Sequence, residues 1–344
     1  MKQRLLLILS VAFAIISVHA QAPDGYYNNA DGKCGQTLRS ALEKIISSHT
    51  EHTYANLWED FKSTDARSDH KVWDMYSNST NYTFGTDQIG SSGYSKEGDG
   101  YNREHSFPKS WFNDGTPMYT DLYHLYPTDG YVNGRRGNNP FGEVGTVTYS
   151  SNNKFSQLGN GYNIGYTGIV FEPADEYKGD FARTYFYMVT CYASKVSTWS
   201  SDMLSNGDLS NWAVNLLLKW SENDPVSDKE RKRIEAVYKI QGNRNPFIDC
   251  PGLEEYIWGN KKSTNVNINT LTGIINVPTD GSLKYHISTA SGELKVEAYH
   301  DHTPITICDI AGRTIINALI NSGEHDYQLQ KGLYIVGGKK IMIK

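Results

Sequence analysis

Across residues 37–48 the apolar positions Leu38, Leu42, Ile45 and Ile46 recur at helical spacing with polar residues between them, which predicts an amphipathic helix. The stretch 53–61 (TYANLWEDF) predicts a shorter helix with Leu57, Trp58 and Phe61 inward. Residues 180–194 (DFARTYFYMVTCYAS) are apolar on nearly every side and predict a buried helix that starts at Asp180, with Arg183 paired to an acid such as Asp180 or Glu172. Residues 209–221 (LSNWAVNLLLKWS) predict a further helix with a strong apolar face. Asp224-Pro225 predicts the start of a long helix that runs through Lys229 to Gln241 and ends at Gly242, since proline suits the first turn and glycine the residue past the last. Strands are expected at 71–76 (KVWDMY), 121–126 (DLYHLY) and 169–173, and around Glu104 up to Pro108. The Gly- and Ser-rich run 85–100 reads as a loop able to face a substrate, while 146–168 is polar and shows no clear period.

The pattern changes near Lys261. Residues 262–272 are rich in Asn, Thr and Ser, and beyond them Leu294, Val296 and Ala298 alternate with Lys295, Glu297 and Tyr299; Ile305 and Ile307 mark the same period, as do Ile341 and Ile343. Turns are expected at 311–313 and 331–332. The expected class is α+β: a mostly helical domain over 21–262, a linker over 263–272 and a small all-β sandwich over 273–344. At the N-terminus Lys2 and Arg4 precede an apolar run over 5–18 that closes on Val18-His19-Ala20, the pattern of a signal peptide over 1–20 with Gln21 as the mature start. That run is shorter than the ~20 residues of a bilayer span, and no other stretch qualifies, so no transmembrane span is expected in the mature chain.

Apolar residues make up 38% of the 344, enough for a packed core, and the 24 Tyr with many Asn suggest a wet, polar surface. A net charge of −5 gives no global basic field, so a polyanionic substrate would depend on local Arg and Lys and on a metal ion. Four widely spaced cysteines, Cys34, Cys191, Cys250 and Cys308, without a CxxC pair give no sign of a zinc knuckle or a dense disulfide framework and leave room for one disulfide of unspecified pairing.

Candidate chemistry concentrates in 101–144, YNREHSFPKSWFNDGTPMYTDLYHLYPTDGYVNGRRGNNPFGEV. Hydrolysis of a phosphodiester needs a base for water, a cation to neutralise charge and groups that position the phosphate. His105 suits the first task, because imidazole titrates near neutrality. Glu104 and Asn133 suit the second as hard oxygen ligands for Mg²⁺, with Ca²⁺ or Mn²⁺ as alternative ions. Arg135, Arg136 and Arg244 are candidates for the third, since guanidinium matches phosphate geometry. Thr128 or Asp129 is placed to cap a helix bearing Asn133 on its second turn, which brings Asn133 back beside Glu104. Asp121 is a candidate for orienting a neighbour, and Asn138 for fixing the loop before Phe141. The competing class is a non-catalytic surface adhesin or glycan-binding protein, suggested by the abundant Tyr and Asn.

EGDGYNREHSFPKSWF, DLYHLYPTDGYVNGRRGNNPFGEV and IQGNRNPFID resemble the bacterial Endonuclease I family, secreted or periplasmic nucleases of the His-Me finger (ββα-metal) type, over about residues 25–258. The resemblance implies cleavage of DNA, and often RNA, with little sequence preference and 5′-phosphate products. It gives His105 the part of general base, and Glu104 and Asn133 that of Mg²⁺ ligands. Three departures stand out. Cys250 occupies a position where relatives carry His, the cysteines do not match the several disulfides of periplasmic members, and no Arg lies in 106–132, where those members hold a phosphate-binding Arg. At the other end, ICDIAGRTI and LQKGLYIVGGKKIMIK look like the C-terminal sorting domain of type IX secretion substrates, which implies export to the outside and contact with that machinery.

Overall fold

Helix α1 (Gly35–Ile46) buries Leu38, Ala41, Leu42 and Ile46 along one stripe, and α2 (Leu57–Thr64) buries Leu57 and Phe61 in the same core. The computed structural model describes residues 22–271 and, beyond them, 285–290, 293–298, 301, 303–309, 313–336 and 339–343. The expected signal peptide and Gln21 lie outside the described residues. The chain divides into two compact units, Met1–Thr272 and Gly273–Lys344.

In the first unit the strands β1 (Tyr101–His105) and β2 (Leu125–Asp129) form an antiparallel pair, and α3 (Gly130–Arg136) follows β2 without a break. A second sheet orders β3 (Val144–Ser150), β4 (Gln157–Gly161) and β5 (Ile169–Glu172) in sequence, so the stretch without a readable period is in fact a hairpin. The alternation is missing because β3 is largely exposed on both faces. Helix α4 (Lys178–Cys191) runs through the middle, with every residue from Gly179 to Cys191 buried. After it come the short pair β6 (Leu204–Ser205) and β7 (Asp208–Leu209), then α5 (Asn211–Asn223), α6 (Asp228–Gln241) and α7 (Pro246–Asp249).

A helix buried all round must find partners for its polar side chains inside the protein. In α4, Arg183 makes a two-pronged pair with Glu230 of α6 at 2.6 and 2.8 Å, with Asp180 further off at 3.8 Å; Glu172 pairs with Lys178 instead. Tyr185 donates to the Ser106 carbonyl at 2.8 Å and Tyr187 to Asp121 at 2.8 Å, so the same helix props up the segment that follows β1.

Three sequence expectations are corrected. Residues 71–76 are not a strand: Asp74 accepts from the backbone of Tyr76 and Ser77 at 2.8 and 3.2 Å, which turns the chain, and only isolated bridges Lys71↔Thr83 and Ala66↔Val72 remain. In 121–126 the chain first makes a helical turn, Leu122–His124, capped by Asp121, and pairs as a strand only from Leu125. Helix α6 begins at Asp228, because Ser227 and Glu230 form a reciprocal capping box, whereas Asp224 accepts the Gly179 amide at 2.8 Å and fastens the preceding loop to α4.

The expected linker is also partly built into the first unit. Val266 and Ile268 are buried, Val266 exchanges backbone bonds with Lys33 and Gly32, and Asp31 accepts the Ile268 amide at 2.8 Å ahead of the short helix α8 (Ile268–Leu271). Among the described residues of the second unit, β8 (Tyr285–Ala290), β9 (Glu293–Ala298) and β12 (Gly323–Tyr327) form one antiparallel sheet. The other sheet orders β11 (Thr314–Ile320), β10 (Thr303–Asp309), β13 (Gly332–Val336) and β14 (Lys339–Ile343). Leu294, Val296, Ile305, Ile307, Ile320, Val336 and Ile343, drawn from both sheets, make one apolar cluster. Of the expected turn at 311–313, residues 311 and 312 lie outside the described residues.

Candidate active site

Asp129 is both the last residue of β2 and the cap of α3. Its Oδ1 accepts the Val132 amide at 2.8 Å, and its Oδ2 accepts the Tyr82 hydroxyl at 2.5 Å and the Gly98 amide at 2.8 Å. The strand register sets Tyr101 opposite Asp129, and the Gly130 amide bonds to the Gly100 carbonyl, so α3 starts against the beginning of β1. Asn133, one turn in, donates its amide to Asn102 Oδ1 at 2.8 Å. Two residues along β1, and so on the same side as Asn102, comes Glu104.

Glu104 is buried. Its Oε1 accepts the Tyr76 hydroxyl at 2.7 Å and is ion-paired with Arg136 Nη1. Burial raises its pKa above the ordinary carboxylate range, and Arg136, Tyr76 and Asn133 offset only part of that rise. Arg136 has no exposed surface, and its guanidinium also donates to the Tyr76 hydroxyl at 3.0 Å, the Ser106 carbonyl at 2.7 Å and the Tyr185 hydroxyl at 3.2 Å.

His105 closes β1. Its Nε2 lies 2.9 Å from the Tyr119 carbonyl, its ring stacks on Tyr54 at 5.9 Å, and His124 packs 5.5 Å away. Burial, helped by the nearby His124, lowers its pKa to about 3, so the ring is neutral at pH 7 and carries one proton. A carbonyl only accepts, so that proton is on Nε2 and Nδ1 keeps a free lone pair. His124 is itself fully buried and gives its Nε2 to the Met118 carbonyl at 2.6 Å.

Glu104, His105 and Asn133 line one cleft of about 550 Å³, a size in the ordinary range for a ligand site. Its walls include Tyr54, Tyr94, Tyr119, Asn102, Arg103 and Lys109. The Glu104 carboxylate and the Asn133 amide are hard oxygen donors at the same wall, and this donor set fits a Mg²⁺ that keeps most of its water ligands. A different cluster, His49, Asp121 and Cys191, has ligand atoms within 4.8 Å of one another, but hydrogen bonds occupy it. Asp121 accepts from Tyr187, Tyr192, Tyr123 and Gln241, and the Cys191 thiol, whose pKa burial raises, faces the Ile46 carbonyl.

The sequence profile of the Endonuclease I family matches residues 34–252, a span that contains the whole cleft. The chain belongs to the Endonuclease I family. It is 37% identical over 245 residues to an extracellular ribonuclease of Bacillus subtilis (strain 168), covering 68% of this chain and 78% of that protein. It is 36% identical over 254 residues to an extracellular ribonuclease of Bacillus amyloliquefaciens, covering 71% and 81%. It is 32% identical over 149 residues to an Endonuclease-1 of Buchnera aphidicola subsp. Baizongia pistaciae (strain Bp), covering 43% and 51%. This Endonuclease I member is thus a nuclease, a phosphodiester hydrolase, and the adhesin alternative falls.

The structure sorts the other candidates of this Endonuclease I chain. Asn138 is exposed and lines the cleft. Arg135 is exposed but lies over the Tyr149 ring at 4.9 Å and does not line the cleft. Arg136 as a substrate-binding group is corrected: it is fully buried and held by Glu104. Arg244 is corrected as well, since it is buried and tied to Asp249 at 2.8 Å and to Glu235 at 2.7 Å. Asp121 caps the turn that carries His124, whose ring packs 5.5 Å from that of His105. Cys250 is a buried thiol, and all four cysteines are free.

Sequence reasoning missed Arg103, Asn102, Tyr54 and Lys109, all cleft-lining. A signal existed for the first two: they precede Glu104 on the same strand, and Arg103 shares a side with His105. Tyr54 gave none, because it reaches the cleft only through packing of the loop ahead of α2.

Proposed function

We propose that this chain is a secreted, largely sequence-non-specific endonuclease that hydrolyses phosphodiester bonds of DNA, and of RNA, to 5′-phosphate products. In this reading His105 is the general base of a ββα-metal site, and Glu104 and Asn133 hold a single Mg²⁺. The observation that carries it is the His105–Tyr119 hydrogen bond: Nε2–H is committed to the Tyr119 carbonyl, which leaves Nδ1 with a lone pair, and His105 lines the same cleft as Glu104 and Asn133. Nδ1 removes a proton from the attacking water, and the Tyr119 carbonyl then steadies the positive imidazolium through Nε2–H. Asn102 holds the Asn133 amide by its nitrogen, which leaves the carbonyl oxygen as the donor atom. What the ion supplies when bound is neutralisation of charge on the phosphate and the leaving oxygen. The names of the relatives, extracellular ribonucleases and endonucleases, support both an extracellular location and a nucleic-acid substrate.

Nicking of supercoiled plasmid DNA tests the reading. His105→Ala should lower the rate by ~10²–10⁴-fold with an unchanged unfolding midpoint, and EDTA should abolish nicking until Mg²⁺ is added back. Nicking by His105→Ala at the wild-type rate would sink the base assignment, and nicking indifferent to EDTA would sink the metal.

We also infer that residues 1–20 are a signal peptide and that the unit Gly273–Lys344 is a type IX sorting domain; the quoted C-terminal motifs and the strand-rich unit around them support the latter. Truncation after Thr272 in the producing cell should trap nuclease activity inside the envelope. Undiminished activity in the medium would reject the sorting role.

A further inference from the structure

Among the described residues of the first unit the buried arginines are answered by acids: Arg39 by Asp208, Arg136 by Glu104, Arg183 by Glu230, Arg233 by Asp65 and Arg244 by Asp249. In the cleft, Lys109 is paired with Asp114. Arg103 is different. Its guanidinium carbon lies 3.5 Å from the centroid of Tyr54 and 4.3 Å from that of Trp58, and Nη1 donates to the Tyr54 carbonyl at 2.5 Å. Among the described residues no carboxylate pairs with it, and the groups that bear on its charge are Tyr54 and Tyr119. The half-buried guanidinium sits over aromatic faces, which attract a cation without supplying a counter-charge. A partly desolvated guanidinium with most of its five donors unspent is a built receptor for an anion.

Its position says which anion. Arg103 and His105 are two residues apart on β1 and face the same side, both line the cleft, and the Tyr54 ring stacks on both, on His105 at 5.9 Å and 17°. Tyr54 therefore fixes the guanidinium and the imidazole as one unit. We propose that Arg103 binds the non-bridging oxygens of the phosphate on which His105 acts, with Tyr54 and Trp58 as the clamp that aims it. This rests on the reading of His105 as the base.

The test uses the full chain with Arg103→Met and, in parallel, His105→Ala. Arg103→Met should lower kcat/KM for plasmid DNA by ~10²-fold, the scale of losing one aimed charge donor. In the His105→Ala background with EDTA, binding of a fluorescein-labelled DNA duplex is followed against salt. Arg103→Met should make the slope of log K against log salt shallower by ~0.9, one phosphate contact, and Arg103→Lys should leave it unchanged. A purely structural role for Arg103 would not move that slope in this selective way. Wild-type cleavage and slope in Arg103→Met, with His105→Ala inactive, overturns the Arg103 assignment alone; nicking by His105→Ala overturns the underlying reading instead. Should circular dichroism show Arg103→Met unfolded, Arg103→Gln, which retains a donor for the Tyr54 carbonyl, replaces it with the same two outcomes.

Discussion

Arg136→Met would leave Glu104 buried against Tyr76 with no positive partner and would strip donors from the Ser106 carbonyl and the Tyr185 hydroxyl. Breaking a buried pair by removing one member costs about 3–5 kcal/mol, and Glu104 would answer by taking up a proton. The variant should lose about that much unfolding free energy in urea and should fail to nick plasmid even where it remains folded. Full nicking by a folded Arg136→Met would show that the Glu104 charge is dispensable. The guanidinium is shut off from solvent against Glu104, and part of this was legible in the sequence. Arg136 is three residues from Asn133 on one helix, so both project to the Glu104 side, whereas Arg135 does not. What spacing could not supply was depth: whether a guanidinium at that position meets solvent or a carboxylate depends on Tyr76 and Tyr185, which arrive from distant parts of the chain.

At the scale of elements, α3 carries glycines where helices usually avoid them. A Cβ at Gly130 would lie 2.5 Å from Ile89 Cδ1, and one at Gly134 would lie 2.7 Å from the Tyr94 hydroxyl oxygen. These two positions, one turn apart, form a groove that seats the 85–100 loop at the rim of the cleft. Gly134→Ala meets only the far end of a flexible side chain, and alanine favours a helix by about 0.8–1 kcal/mol over glycine. The variant should therefore fold at least nearly as well as wild type while Tyr94 is displaced, and its KM for plasmid should rise several-fold with kcat little changed. An unchanged KM would mean that Tyr94 takes no part in holding the substrate. Helices α1, α2 and α5 were legible because each buries a periodic apolar face, and α4 because it is a long run buried on every side. The mispredicted 71–76 stretch and the start of α6 hinge on single side chains, Asp74 and Ser227, that redirect the backbone by hydrogen bonds no hydrophobic period registers.

For the whole molecule, the 24 tyrosines take on a meaning that composition concealed. Many do not make a wet surface. Tyr76, Tyr123, Tyr126, Tyr185, Tyr187 and Tyr192 are buried, and their hydroxyls bond to Glu104, Asn243, Thr184, Ser106 and Asp121. A core of this kind trades pure apolar packing for directional contacts, which suits a unit that must hold a carboxylate and a histidine out of water. The overall charge of −5 likewise says little about substrate, because buried cations such as Arg183, Arg233 and Arg244 are cancelled locally by acids.

The sequence by itself determined the two-part organisation of strand and helix patterns, the strand–turn–helix that brings Glu104, His105 and Asn133 to one cleft, and the family. Each of these is carried by residues near one another in the chain, where period, capping and motif operate. Only the tertiary structure decided which arginines are free. Arg103, Arg135, Arg136 and Arg244 are alike in sequence, yet Glu104 takes one and Asp249 another, while Tyr54 and Trp58 hold Arg103 open to the cleft. The reason is that a charge is cancelled or kept by whatever lies within a few ångströms of it, and for buried groups those neighbours come from far along the chain.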